Sequence, residues 1–354
     1  MPGKICLIVP THNRPHFMRR LLSYYQAAKA GLRIIVIDSS EPLRAAQNKE
    51  LVSEANWPSG LQLEYHHTSE RFPPEFPPIV HEKVQWALEI AATAYVALCA
   101  DDDFLVPSAL EKFVNFLDQN PDYCCAKGRI FDFIAPKKGV FRLLPALHWR
   151  PVESEDAFER VWLASRYYQQ SFYGLFRLET LQEIQRSMPQ RFLRHPGWLD
   201  ELSFSTFAAA MGKIMRFDCP YEYRELHDSN FGHVVSKWPE TTFEDELRPF
   251  VTDYRQALRD LLLRHHPELE EAAANKAAQS SLIAFSKWYY DTRYRDSHNR
   301  PQGSGTLERR DFLQRLLDRV DEMRRRIKDE FLGRRAMKFP ETQAVMAAVA
   351  EHNA

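Results

Sequence analysis

The sequence predicts an α/β fold, a mostly parallel sheet flanked by helices, followed by a C-terminal α-helical extension. Three observations carry this expectation. Short apolar runs alternate with amphipathic segments over the larger part of the chain. Those runs end on polar, turn-forming residues. Beyond Thr242 the strand signals stop and helical periodicity takes over. A parallel strand buried on both faces reads as a continuous apolar run, and it needs a helical crossover to reach its neighbour.

The elements follow in order. Lys4 to Pro10 (KICLIVP) is too short and too β-branched for a helix, and it ends in the turn-prone THNRP. Phe17, Leu21, Leu22 and Tyr25 then recur at helical spacing, with Gly31 as the stop. Arg33 to Ile37 gives a second apolar strand that ends on Asp38-Ser39-Ser40. Another helix follows, then an alternating strand at Leu61 to Tyr65. Arg71 to Pro78 (RFPPEFPP) is a proline-stiffened loop. A helix over Ile79 to Ala92 leads into YVALCA, a third buried strand that runs straight into Asp101-Asp102-Asp103. Past the sheet, helices are expected over Phe243 to His266 and Glu268 to Tyr290. Ser297 to Thr306 has the composition of a linker. Phe312, Leu316, Val320 and Met323 form an apolar stripe after it. The expected division is 1–240 for the α/β domain and 241–354 for the helical region.

The 354 residues, 44% hydrophobic and 27% charged, are enough for a globular catalytic domain with a helical appendage. A net charge of -1 supplies no basic field, so no nucleic-acid partner is expected. Cys6, Cys99, Cys124, Cys125 and Cys219 show no C-x-x-C pairing and read as reduced thiols of a cytoplasmic protein. No apolar run approaches the ~20 residues that cross a bilayer, so no transmembrane segment is expected. Arg324 to Arg326 reads as a solvated helix face, or as a peripheral contact for anionic lipid heads.

Three adjacent aspartates at the end of a buried strand repel one another, and a cation relieves that cost. Hard oxygen ligands with room for phosphate and water suit Mg²⁺ or Mn²⁺. The alternative is a solvated loop before the helix that begins VPSALEKF. In parallel sheets ligands collect at the carboxyl ends of strands, and Asp38 and the aspartate triplet both occupy such ends.

The order ICLIVPTHNRP, VIDSS, YVALCADDDFLVPSALEKFVNFLDQNP resembles family 2 glycosyltransferases of the GT-A fold, over Lys4 to Ser236. The resemblance implies a GT-A-like nucleotide-sugar domain and a hexosyl-type transferase. It implies Pro10, Thr11 and Arg14 beside the nucleotide and Asp38 on the base or ribose. Against this, Asp38 also reads as a turn-forming aspartate before Ser-Ser. Lys83 is a weaker candidate for the diphosphate, and a solvated helix lysine is its simpler account. Where the family often has Asp-Ala-Asp-Asp, this chain has Cys99-Ala100-Asp101-Asp102-Asp103. Either Cys99 replaces the first acid and Asp101 is the main metal ligand, or the motif is Asp101-x-Asp103. Asp101, Asp102 and Asp103 all stay as metal candidates, with Asp101 and Asp102 near the donor as well.

Later segments extend the resemblance. SFYGLFRLETL looks like an acceptor loop, with Gly174 permitting close approach, or else like an ordinary strand glycine. HPGWLDELSF offers Asp200 as catalytic base with Glu201 in reserve, although Leu199 stands where the family has an acid. Helix capping is the plainer role for Asp200. Trp198 is placed to stack on an acceptor sugar. His227 resembles the late histidine that completes the metal site in many GT-A enzymes.

The implied reaction is inverting transfer from a nucleotide-diphospho-sugar to a hydroxyl of a saccharide or glycolipid acceptor, assisted by Mn²⁺ or Mg²⁺. Three rivals stand beside it. A sugar-phosphate nucleotidylyltransferase would carry a glycine-rich loop where THNRPH has none. A phosphohydrolase would need a second ligand cluster. A non-catalytic protein with a decayed transferase domain would explain the departures at Cys99 and Leu199.

Overall fold

The computed structural model describes residues 3–53, 61–69, 80–135, 142–145, 150–166, 171–194, 198–227, 243–296 and 335–352. The first half alternates as expected: β1 (Ile5–Thr11), α1 (Pro15–Ala27), β2 (Arg33–Asp38), α2 (Pro42–Ser53), β3 (Gln62–His67), α3 (Val80–Ile90) and β4 (Tyr95–Leu98). There follow β5 (Phe104–Leu105), α4 (Pro107–Gln119), β6 (Tyr123–Ile134), β7 (Arg142–Pro145), α5 (Ala157–Arg166), β8 (Leu175–Arg177), α6 (Leu178–Ser187), α7 (Gln190–Arg194), α8 (Trp198–Met211) and β9 (Lys213–Glu225). The C-terminal helices are α9 (Phe243–His265), α10 (Glu271–Asp296) and α11 (Pro340–His352). Pro15 and Pro107 open α1 and α4, where a missing N–H is no loss and the fixed φ suits a first helical turn.

The sheet runs β3-β2-β1-β4-β8-β6-β9-β5, with β7 paired to β6. Strands β3, β2, β1 and β4 are parallel, and β6 pairs β9 in parallel. The contacts of β8 with β4 and β6, and those of β5 and β7, are antiparallel. The sheet is therefore mixed; within its parallel set β3-β2-β1-β4, the strands β2, β1 and β4 are those that read as continuous apolar runs, and β3 is the alternating one. Because β1 has β2 on one side and β4 on the other, the strand order reverses there. In open α/β sheets the loops at the carboxyl ends of the strands flanking such a reversal diverge and frame a crevice.

Both faces of the sheet are covered. Ile5, Leu7 and Val9 of β1 join one apolar layer with residues of α1, α4 and α11. Cys6 and Ile8 join the other, with residues of α3, α5, α6, α8, α9 and α10. The helical extension is thus packed onto the α/β body. Leu258, Leu261 and Leu262 of α9 and Ala274, Ala278 and Phe285 of α10 are buried in the second layer. Tyr254 ties α9 to both neighbours through Thr206 (3.1 Å) and Ser281 (2.6 Å). The proline-rich loop, the linker at 297–306, the stripe from Phe312 to Met323 and Arg324 to Arg326 lie outside the described residues. No described helix is long and apolar enough to cross a membrane.

Candidate active site

The crevice beside β1 gathers most of the residues singled out by sequence. Thr11, the last residue of β1, pairs in register with Asp38, the last of β2. Its hydroxyl donates to Asp101 Oδ2 at 2.6 Å, which joins the ends of β1 and β4. Arg14, capping α1, donates through Nη1 to Asp101 Oδ1 (2.8 Å) and Asp102 Oδ2 (3.0 Å). His227 follows the end of β9, and its Nε2 lies 2.8 Å from Asp102 Oδ2. Pro10 sits one residue back along β1, opposite Ile37. Three chain segments far apart in sequence, at residues 11–14, 101–102 and 227, meet at two carboxylates.

The electrostatics divides the triplet. Burial pushes Asp101 up to about 6, helped by the charge of Asp102 and opposed by Arg14 and Thr11. Burial also works against the charge of Asp102, but the His227 hydrogen bond and Arg14 outweigh it and hold that carboxyl below the usual range. Asp103 is pushed well up by burial, then by Asp102 and Glu222. It accepts the Glu225 N–H at 3.2 Å, against β9. Cys99 is a core thiol, 1% exposed and raised well above its ordinary range by burial.

Two sequence readings change here. Lys83 is not a solvated helix lysine. It is 4% exposed, and its ammonium donates to Ser39 Oγ at 2.5 Å beneath the crevice floor. Burial lowers its pKa to about 8, against the attraction of Asp38 and Asp101. Asp38 is fully buried and its oxygens are engaged internally. Oδ1 accepts the Ser40 N–H at 2.7 Å, while Oδ2 accepts Asn48 Nδ2 and the Tyr65 hydroxyl, each at 2.8 Å. The turn-forming role is the one its geometry displays; the carboxylate shapes the β2–α2 turn from inside.

In the segment expected to form an acceptor loop, Gly174 is explained by packing. A Cβ there would lie 2.5 Å from Cys125 Sγ and 3.0 Å from Ser171 O, so β8 approaches β6 only with glycine at this point. Trp198 and Asp200 begin α8, and their side chains lie outside the described residues. Glu201 is pushed up to about 7 by burial, against Arg224, His81 and Lys127. Those groups come from β9, α3 and β6, so α8 opens onto a charged wall. Within it Lys127 pairs with Glu222 at 2.9 Å and Arg224 with Asp132 at 2.8 Å.

The donor set bears on a divalent cation as follows. Among the described residues, no three His, Cys, Asp or Glu side chains are grouped as a ready cage. The four ligands expected from sequence are not brought to one point: Asp101 is engaged by Thr11 and Arg14, and Asp103 by Glu225. Asp102 and His227 do face each other, a carboxylate oxygen and an imidazole nitrogen. That pair fits Mn²⁺ or Mg²⁺ of the kind that takes one or two protein ligands and fills its shell with phosphate oxygens and water.

Comparison with known proteins bears on the fold. The chain is similar to crystal structures of S. aureus TarS 1-349. One has 16% identity and a TM-score of 0.53, covering 84% of this chain and 75% of that one. The complex with UDP-GlcNAc has 16% identity and a TM-score of 0.55, covering 84% and 76%. The fold is theirs. A second likeness is to the Rattus norvegicus alpha-1,6-mannosyl-glycoprotein 2-beta-N-acetylglucosaminyltransferase, 30% identical over 76 residues. That match spans 22% of this chain and 17% of the rat enzyme. No protein-family profile matches the chain.

Sequence reading missed several supports of this site. Arg20 falls three residues after Phe17 on the buried stripe of α1, a position where a charge asks for a partner; that partner is Glu225. Lys83 is a candidate by sequence, but its burial is not read there, although it stands four residues before buried Ala87 on α3. The roles of Asn48 and Tyr65 carry no local signal.

Proposed function

We propose that this chain is an inverting, metal-assisted glycosyltransferase that moves a sugar from a nucleotide-diphospho-sugar to an acceptor hydroxyl. The observation that supports it best is the meeting of Thr11, Arg14, Asp101, Asp102 and His227 at the strand-order reversal. It lies in a fold shared with a protein crystallised with UDP-GlcNAc. UDP-GlcNAc is accordingly the first donor to test.

In this reading Asp102 and His227 hold Mn²⁺ or Mg²⁺, which supplies charge stabilisation for the departing nucleoside diphosphate. Arg14 orients the diphosphate, since a guanidinium presents paired donors to phosphate oxygens. Lys83 adds positive potential from beneath. Pro10 and Thr11 form the wall along the nucleotide. Asp200, with Glu201 beside it, takes the proton from the acceptor hydroxyl as it attacks the face opposite the leaving group. A carboxylate does this only as the new bond forms and the hydroxyl acidifies. The acceptor class is a saccharide or a glycolipid, with Trp198 as a stacking surface.

A second reading is favoured by one observation. Arg14 already bridges Asp101 and Asp102 with its one positive charge, so a non-catalytic nucleotide-sugar-binding protein has less need of a cation. Incubation with UDP-GlcNAc, an acceptor panel and Mn²⁺, followed by assay of released UDP, separates the two. Transfer that stops with chelator supports the enzyme; binding with no release under any condition overturns it.

A further inference from the structure

The end of β9 is held from two sides, and the hold from α1 reaches His227. On the α1 side, Arg20 and Glu225 form an ion pair with exposures of only 2% and 6% for their side chains. The Arg20 guanidinium lies over the rings of Phe17 (5.0 Å) and Phe104 (5.7 Å), so its position is fixed by flat apolar surfaces as well as by charge. Phe17 in turn stacks on the His227 imidazole, with centroids 5.0 Å apart and planes 24° from parallel. The Glu225 N–H donates to Asp103, and the Leu226 N–H donates to Phe133 O at 2.7 Å, so the backbone leading to His227 is anchored. On the far side, the Tyr223 hydroxyl meets Thr342 Oγ1 of α11 at 2.7 Å.

We infer that Arg20, Glu225 and Phe17 are positioning residues for His227, holding its imidazole edge toward Asp102 so that the two present a preformed pair to a divalent cation. This rests on the metal-binding reading above. A buried ion pair contributes little net stability, because desolvation offsets attraction, and apolar residues of similar volume serve as well. What the pair supplies here is direction: it links the first helix to the last residues of β9 across the crevice. A stacked ring then restricts rotation of the histidine, whose angle decides whether Nε2 reaches the cation. Outer partners of metal ligands are typically worth about 10–100-fold in metal affinity.

The test measures Mn²⁺ binding directly, in the presence of UDP, by calorimetric titration, with melting temperature recorded for each variant. Glu225→Gln and Phe17→Leu are each expected to weaken Mn²⁺ by about tenfold or more. Tyr223→Phe, which removes only the hydroxyl contact to α11, is expected to lower the melting temperature without changing Mn²⁺ affinity. His227→Ala sets the reference. If it abolishes Mn²⁺ binding while Phe17→Leu and Glu225→Gln leave affinity within twofold, the positioning role is overturned and the metal reading stands. If His227→Ala itself leaves affinity unchanged, both fail. Weakening by Tyr223→Phe equal to that by the other two would also overturn the proposal, since the effect would then follow stability. Should Glu225→Gln not fold, Phe17→Leu decides alone, because leucine keeps the packing and removes only the ring face.

Discussion

Lys83→Met is expected to stabilise the fold while weakening nucleoside-diphosphate binding. The ammonium is buried between α3 and the ends of β1 and β2, and burial carries its pKa from 10.5 to about 8. At ~1.4 kcal/mol for each pH unit, keeping the charge costs about 3 kcal/mol near neutrality. The unfolded chain holds this proton to about pH 10.4, while the folded chain releases it near 8. Between those values the unfolded state binds more protons, so wild-type stability rises with pH there; below 8 the cost is present in full. Methionine fills a similar volume without charge and forfeits the Ser39 hydrogen bond, worth ~1 kcal/mol. The net gain is about 2 kcal/mol, or a few degrees in melting temperature. Scanning calorimetry at pH 7 and pH 9.5 reads it, and the advantage of the variant should shrink at the higher pH. Titration with UDP and Mn²⁺ should show affinity reduced about tenfold or more, since ~1.4 kcal/mol of lost attraction suffices. A variant that melts lower at pH 7 and binds UDP normally would refute the reasoning and make Lys83 a structural lysine.

The remaining predictions are independent of that one. If Glu201 takes the acceptor proton, transfer rises with pH through about 7, because the base acts deprotonated. Glu201→Gln then loses about 10²–10⁴-fold in rate. A Glu201→Gln variant that transfers within a few-fold of the wild type would instead assign the base to Asp200. Gly174→Ala should cost about 1–3 kcal/mol by overpacking against Cys125, measured by urea denaturation. An unchanged midpoint would show that β8 shifts freely. Leu258→Ala in α9 should cost about 2–5 kcal/mol and shift the single unfolding transition, because this helix is part of the second apolar layer. A separate, early transition would show instead that α9 and α10 unfold on their own.

Much of the fold was legible because its signals are local. The runs from Ile5 to Pro10 and from Ile34 to Ile37 are uniformly apolar, and each strand is covered on both faces. The helical texture past Thr242 likewise announced α9 and α10. The second half of the sheet was not legible in the same way. β8 has three residues and β5 two, too few for a periodic pattern, and their antiparallel pairing follows from where the chain returns.

The candidate site divides along the same line. Position at the end of a buried strand pointed to Asp101 and Asp102, because strand ends in a parallel sheet are where polar side chains can leave the core together, whereas Thr11, Arg14 and His227 came from the resemblance of the motif order. Which carboxylate faces which partner depended on contacts across the whole chain. Thr11 and Asp101 are 90 residues apart, Asp102 and His227 125, Arg20 and Glu225 205. A neighbour 122 residues away turns Asp103 toward β9, while Asn48 and Tyr65, 10 and 27 residues on, enclose Asp38, and the packing of α3 on the sheet buries Lys83. Periodicity reports which face of an element is covered. The direction of a charged side chain within the covered region is set by the dielectric and the partners that other elements bring, and these exist only once the sheet has closed.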